Sequence, residues 1–251
     1  MFFKRIFLKK YKEKLKRLIN RYKSKIQNER NKFISILNHD IKTPILAQQQ
    51  SLELLLKNAF GSFSKEQENI LKEIYYSNNF LLEVVTNSLF LAKYENENPN
   101  LNIENLDIVE QIKDCCESIK NYASEKQQNI ILKTEKNKKI KLNADRKLVQ
   151  KIIFNILSSS ISYGFEKSDI EILIKENKDS ISFWAKNKSI YMTKEKINNL
   201  LEDKKDLHDF NQLGMNLNLN IAKKLINAHN WNIIAKSKKN NSSVFGFVVK
   251  K

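Results

Sequence analysis

The chain has 251 residues, 41% of them apolar and 29% charged, enough to build one large or two small hydrophobic cores. Its net charge of +17 is lopsided, because residues 1–32 carry 13 Lys or Arg against two acidic residues; a nucleic-acid surface spread over the whole molecule is excluded. The N-terminal apolar cluster Phe2, Phe3, Ile6, Phe7 and Leu8 is broken by Lys4, Arg5, Lys9 and Lys10, too short and too charged for a membrane span or a signal-peptide core, which predicts a cytoplasmic protein.

Residues 1–29 read as a basic helical arm. Leu15, Ile19, Tyr22 and Ile26, continuing to Phe33 and Ile36, recur in alternating steps of four and three, the spacing of a coiled-coil seam. A solvated dimer helix is the first reading of this arm. Peripheral contact of Phe2, Phe3, Ile6 and Phe7 with an anionic membrane surface is the second.

Residues 30–95 read as two amphipathic helices. Phe33, Ile34, Ile36, Leu37, Ile41 and Ile45 carry the helical period across the run Asn38-His39-Asp40-Ile41-Lys42-Thr43-Pro44. That run sets a nucleophile beside its own acid: a carboxylate that accepts a hydrogen bond from one imidazole nitrogen leaves the other free to attack phosphorus. Thr43 falls on the same helical face one turn on. Pro44 removes a backbone donor and is expected to bend the helix just past the site. The first helix should end before Asn58-Ala59-Phe60-Gly61. Ser64 and Gln67 then form a capping-box signature opening a second helix, with Ile70, Leu71, Ile74, Leu81, Leu82, Val85 and Leu89 at helical spacing. Two such helices have more apolar surface than a lone hairpin can bury, which predicts a homodimeric four-helix bundle.

Residues 96–100 read as a linker, and residues 101–251 change to a mixed pattern. Helices are predicted over 109–126, 146–160 and 218–228, and strands at 129–133, near 142, 170–174 and 180–185, with a hairpin over 231–235 and 244–249. Cys115 and Cys116 are adjacent in a helical pattern, which suits reduced core thiols and neither a disulfide framework nor a metal site. The whole predicts an α+β two-layer sandwich behind an all-α hairpin.

The His39 box resembles the phosphoacceptor motif of two-component histidine kinases: His, an acid, a hydrophobic residue, Arg or Lys, Thr, Pro. The close of the second helix, residues 87–95, looks like the corresponding segment of their dimerisation domains. The order of elements after residue 100 resembles the family's ATP-binding domain. The resemblance implies that His39 carries a phosphoryl group, that Asp40 orients and activates it, and that Thr43 helps position water for dephosphorylating a partner response regulator.

The nucleotide motifs depart from the family pattern. Where the family has Asn-x-x-x-Asn, the second Asn chelating magnesium, this chain has Asn155 and Ser159, with Ser162 in place of a cation. A hydroxyl reaches less far than a carboxamide, and magnesium tolerates geometric error poorly. At the adenine-binding Asp-x-Gly-x-Gly the chain reads Asn187-Lys188-Ser189-Ile190-Tyr191, where Asn187 can still accept through its carbonyl but Tyr191 puts a bulky ring where the family has no side chain. Gly-x-Gly-Leu becomes Asn216-Leu217-Asn218-Leu219, expected as a loop that keeps its shape through the tolerance of Asn for left-handed geometry. The chain has only four glycines. ATP and magnesium are the cofactors the resemblance implies, and these substitutions predict that they bind weakly or not at all.

The function expected is therefore two-component signal transduction through His39, by divergent autokinase activity or by phosphotransfer or phosphatase chemistry with a vestigial ATP site. The partners are a response regulator receiver domain and a second copy of the chain. The alternative is a non-catalytic dimeric scaffold attached by its basic arm to a membrane surface or nucleic acid. A scaffold has no need of the His39, Asp40, Thr43, Pro44 set, and no basic-aromatic interleaving follows residue 32, so nucleic acid is not an expected partner.

Overall fold

The computed structural model describes residues 2–94, 99–134, 138–201, 210–239 and 241–251, with the backbone alone for residues 2–11, 20, 23 and 210–216. The chain divides into two compact units, Met1–Lys93 and Tyr94–Lys251. Residues 96–98 of the expected linker lie outside the described residues. Among the described residues no helix is long and apolar enough to cross a membrane.

The first unit is a helical hairpin. Helix α1 (Phe2–Leu56) runs 55 residues, through Pro44, and ends where Asn58 turns to a φ of 57°. The N–H of Asn58 donates to Leu55 O at 2.9 Å and that of Ala59 to Leu54 O at 3.0 Å, the paired closing bonds of a left-handed helix terminus. Helix α2 (Lys65–Lys93) opens on the capping box read from the sequence. Ser64 N donates to Gln67 Oε1 at 2.9 Å, and Gln67 N donates back to Ser64 Oγ at 3.3 Å.

The α1 residues facing α2 follow a seven-residue interval: Asn31, Asn38, Ile45 and Leu52, with Gln27 and Ile34 one turn earlier in each repeat. Ile34, Ile45 and Leu52 are buried, and Asn78 of α2 donates its side-chain amide to Ile45 O at 3.0 Å. Nearer the N-terminus the seam turns polar. Gln27 Nε2, Asn31 Oδ1 and Asn38 Oδ1 are buried without a hydrogen-bond partner. Outside the seam, Leu15, Ile19, Tyr22, Ile26, Phe33 and Ile36 on α1 and Ile70, Ile74, Phe80 and Leu81 on α2 are exposed.

The second unit is a two-layer α+β domain. Strand β1 (Glu104–Asp107) pairs antiparallel with β3 (Lys141–Ala144). The larger sheet has five strands: β2 (Asn129–Lys133), β4 (Asp169–Glu176), β5 (Ser180–Lys188), β6 (Asn232–Lys238) and β7 (Ser242–Lys250), in the order β2-β4-β5-β7-β6. Only β2–β4 is parallel. One face is apolar by strict alternation: Ile170, Ile172 and Ile174 on β4, Ile181, Phe183 and Ala185 on β5, Phe245, Phe247 and Val249 on β7. Each such side chain contributes about 1.5–3 kcal/mol by leaving water. Gly246 on β7 is held to glycine by the neighbouring strand, since a Cβ there would meet Phe183 O at 2.1 Å.

Helices α3 (Ile108–Glu125), α4 (Arg146–Tyr163) and α6 (Phe210–Ala228) form the other layer. Asp107 caps α3 through the N–H of Val109, and Asp145 caps α4 through that of Leu148. A short α5 (Lys194–Leu201), not foreseen from the sequence, precedes α6. Strand β1 was not foreseen either, and α6 starts as early as Phe210, so Asn216 and Asn218 are helical and not in a loop. Without glycines at those positions nothing favours left-handed backbone, and Leu217 and Leu219 are good helix formers with Leu219 buried.

Candidate functional site

His39 and Asp40 are consecutive on α1, and their side chains are 80% and 64% exposed. His39 Nδ1 lies 3.1 Å from Asp40 Oδ1. An ionised carboxylate only accepts, so this contact places the ring proton on Nδ1 and leaves the Nε2 lone pair free. On the exposed face of α1 the pair is open enough for a reactant of protein size to reach Nε2. One turn on, the Thr43 hydroxyl donates to His39 O at 2.8 Å. Its proton is thereby committed to the backbone, while its oxygen keeps lone pairs that can accept from water. The structure thus brings His39, Asp40 and Thr43 together on one exposed face.

The residues expected at the nucleotide positions gather around the C-terminal half of α4, in the second unit. Asn155 is 2% exposed and its amide donates to Lys151 O of its own helix at 2.8 Å. Ser159 is fully buried and donates to Asn155 O at 2.8 Å. Asn218 reaches across from α6 and donates to Ser158 Oγ at 3.1 Å. Asn187, near the end of β5, donates to Ser160 O. Asn216 belongs to α6, where only the backbone is described.

Gln128 and Lys126 complete this cluster, although neither stood out in the sequence. The Gln128 amide donates to Ile161 O at 3.2 Å and Phe165 O at 2.9 Å. The Lys126 ammonium donates to Ser162 O at 2.9 Å, and its burial lowers its pKa. Side chains therefore take the last carbonyls of α4, which no intrahelical donor can reach. Gly164 makes room for them: a Cβ there would lie 2.8 Å from Gln128 Nε2 and 2.9 Å from Ser160 O. The run Ser158-Ser159-Ser160 inside an otherwise apolar helix was the available sequence signal for a buried polar cluster.

Past Asn187 the chain is tied down. Ser189 N donates to Asn241 O at 3.0 Å, the Ser189 and Ser243 hydroxyls meet, and Met192 N donates to Ser237 Oγ at 3.0 Å. Ile190 and Tyr191 stand exposed between these ties. Among the described residues no group of three or more His, Cys, Asp or Glu is arranged to hold a metal ion.

Comparison with known proteins bears on both units. Residues 29–97 match the His Kinase A (phospho-acceptor) domain. The chain is 22% identical over 237 residues to the sensor protein KdpD of Clostridium acetobutylicum, covering 91% of this chain and 26% of that protein. It is 25% identical over 239 residues to the sensor histidine kinase YvrG of Bacillus subtilis, covering 92% of this chain and 40% of that one. It therefore spans well under half the length of these relatives. Among solved structures, full-length ShkA in complex with AMPPNP superposes with a TM-score of 0.64 at 18% identity, over 86% of this chain and 45% of that one. Histidine kinase ThkA in complex with the response regulator TrrA gives 0.57 at 18% identity, over 92% and 66%. These likenesses show the fold.

Proposed function

We propose that the chain is a two-component histidine-kinase family protein, with a phosphoacceptor segment followed by a unit of the histidine-kinase catalytic fold, and that it exchanges a phosphoryl group between His39 and an aspartate of a response regulator receiver domain. The observation that carries this reading is the exposed Nδ1 to Oδ1 contact of His39 and Asp40 inside the matched phosphoacceptor segment.

In this reading Nε2 is the nucleophile. Asp40 holds the Nδ1 proton in place and offsets the positive charge that develops on the ring as phosphorus bonds to Nε2. The receiver brings its own metal and acidic pocket, and this chain contributes a positioned imidazole. Thr43 acts in the reverse, hydrolytic direction by accepting a hydrogen bond from the attacking water. The complex of ThkA with its response regulator supports a partner of this class.

The working form is a homodimer. The exposed apolar residues of α1 and α2 are too many for a hairpin in water, and a second copy covers them in a four-helix bundle. The test is to incubate the purified chain with a phosphorylated receiver domain and follow the label. His39→Gln should abolish transfer, and undiminished transfer by that variant refutes the assignment.

A further inference from the structure

We infer that the second unit takes no nucleotide, and that the phosphoryl group on His39 is supplied by the acyl phosphate of a receiver aspartate, because the side chains at the metal position are buried inside the fold and the backbone at the phosphate position is continuous helix. This rests on the phosphoacceptor reading of His39.

Magnesium-nucleotide binding needs oxygen ligands for the ion and positive charge or free N–H groups for the phosphates. At the ion's position Ser159 donates to Asn155 O, and its oxygen, which keeps its lone pairs, is fully buried and out of reach of an incoming ion. Asn155, 2% exposed, turns its amide to Lys151 O. On the phosphate side the Asn218 amide is engaged on Ser158 Oγ. Asn216 and Asn218 sit in continuous helix, so their backbone N–H groups are not turned out to form an anion-binding concavity. At the base position the Asn187 amide donates to Ser160 O and its buried Oδ1 is left without a partner, so what stands against a nucleotide lies at the metal and phosphate positions. Bringing an ion to Ser159 or Asn155 would mean opening the packing that buries both within α4. The residues present do not fit the group.

The donor must therefore be a phosphoryl compound reactive enough to pass its group to imidazole without help from this chain's second unit. A carboxylic-phosphoric anhydride meets that need. The Nε2 lone pair attacks phosphorus, the P–O bond to the receiver carboxyl breaks, and the carboxylate leaves with the electron pair. The Nδ1 proton stays on the ring, held by Asp40. The chain then stands downstream of a phosphorylated receiver, and its phosphohistidine feeds a second receiver or returns to the first.

The experiment gives the full-length chain two labelled donors in parallel, magnesium with γ-labelled ATP and a receiver domain carrying labelled aspartyl phosphate, and records melting with and without millimolar magnesium-ATP. The expected result is label on His39 from the receiver at least a hundredfold above that from ATP, absent in His39→Gln, with no nucleotide-dependent melting shift. A saturable melting shift, or label from ATP in the wild type that His39→Gln loses, overturns the inference while leaving the phosphoacceptor reading standing. No label from either donor overturns the donor assignment together with that reading.

Discussion

Asp40 Oδ1 lies 3.1 Å from Nδ1 of His39, and the two side chains come from adjacent positions of one helix. Removing the charge while keeping the shape isolates what the carboxylate does. Asp40→Asn should slow phosphate transfer through His39 by ~10²–10⁴, the usual worth of a positioned acid-base partner. Single-turnover transfer from a labelled receiver measures it, and an unchanged rate would show that the contact is incidental.

Thr43→Ala should separate two activities. Its hydroxyl donates to a backbone carbonyl and touches neither ring nitrogen, so transfer to His39 should stay within about threefold of wild type. Hydrolysis of the receiver's phosphate, which needs an ordered water, should fall by at least ~10-fold. Parallel rates on one receiver preparation decide this.

Ile74→Asp with Leu81→Asp should convert the dimer to a monomer. Both residues are about half exposed on α2, at 48% and 47%, and in a bundle each would bring a buried charge against its counterpart. Sedimentation at micromolar concentration reads the result, and a dimer that survives both changes places the interface elsewhere.

The polar end of the α1 seam should be the weak part of the hairpin. Gln27→Leu with Asn31→Leu removes two buried unpaired atoms and should raise the melting point, each being worth about 1–3 kcal/mol. In the wild type, amides of residues 24–38 should exchange faster than those of 45–56. Equal protection on both sides of His39 would refute the gradient.

Burial pushes the Cys115 thiol from 9.0 up to about 12 and Cys116 up to about 11. The folded state thus favours the protonated form, so the contribution to stability is intact below about pH 9 and is lost as pH rises through 11 to 12. At pH near 8 both thiols should alkylate far more slowly in the native chain than after unfolding. Native rates equal to unfolded ones would contradict the burial of α3.

The grouping of His39, Asp40 and Thr43 on one face was legible because it is local: neighbouring residues on one helix need no tertiary knowledge to be placed together. The same holds for the caps at Ser64 and Asp145 and for the alternating strands. What escaped was set by distant partners. Nothing in Asn187 announces that its amide turns to Ser160 O, nor in Asn218 that its amide crosses to Ser158, since those contacts follow from β5 and α6 packing against α4. The parallel β2–β4 pairing and the early start of α6 are likewise products of packing. Spacing showed that the glycines were missing; only the structure showed what filled their place.

The scarcity of glycine has a consequence far from either site. Among the described residues, five positions with φ between 53° and 58° are filled by side-chain-bearing residues: Asn58, Gln127, Lys167, Asn230 and Asn241. Asparagine accepts that geometry readily, but glutamine and lysine do not, at a cost of roughly 1–2 kcal/mol each against glycine's freedom. Gln127 and Lys167 lie in facing turns, since Lys167 N donates to the carbonyl of Lys126 beside Gln127 at 3.0 Å. The domain therefore holds an untapped reserve of thermal resistance in two surface bends, one that an engineer could release without altering a contact of the phosphoacceptor helix.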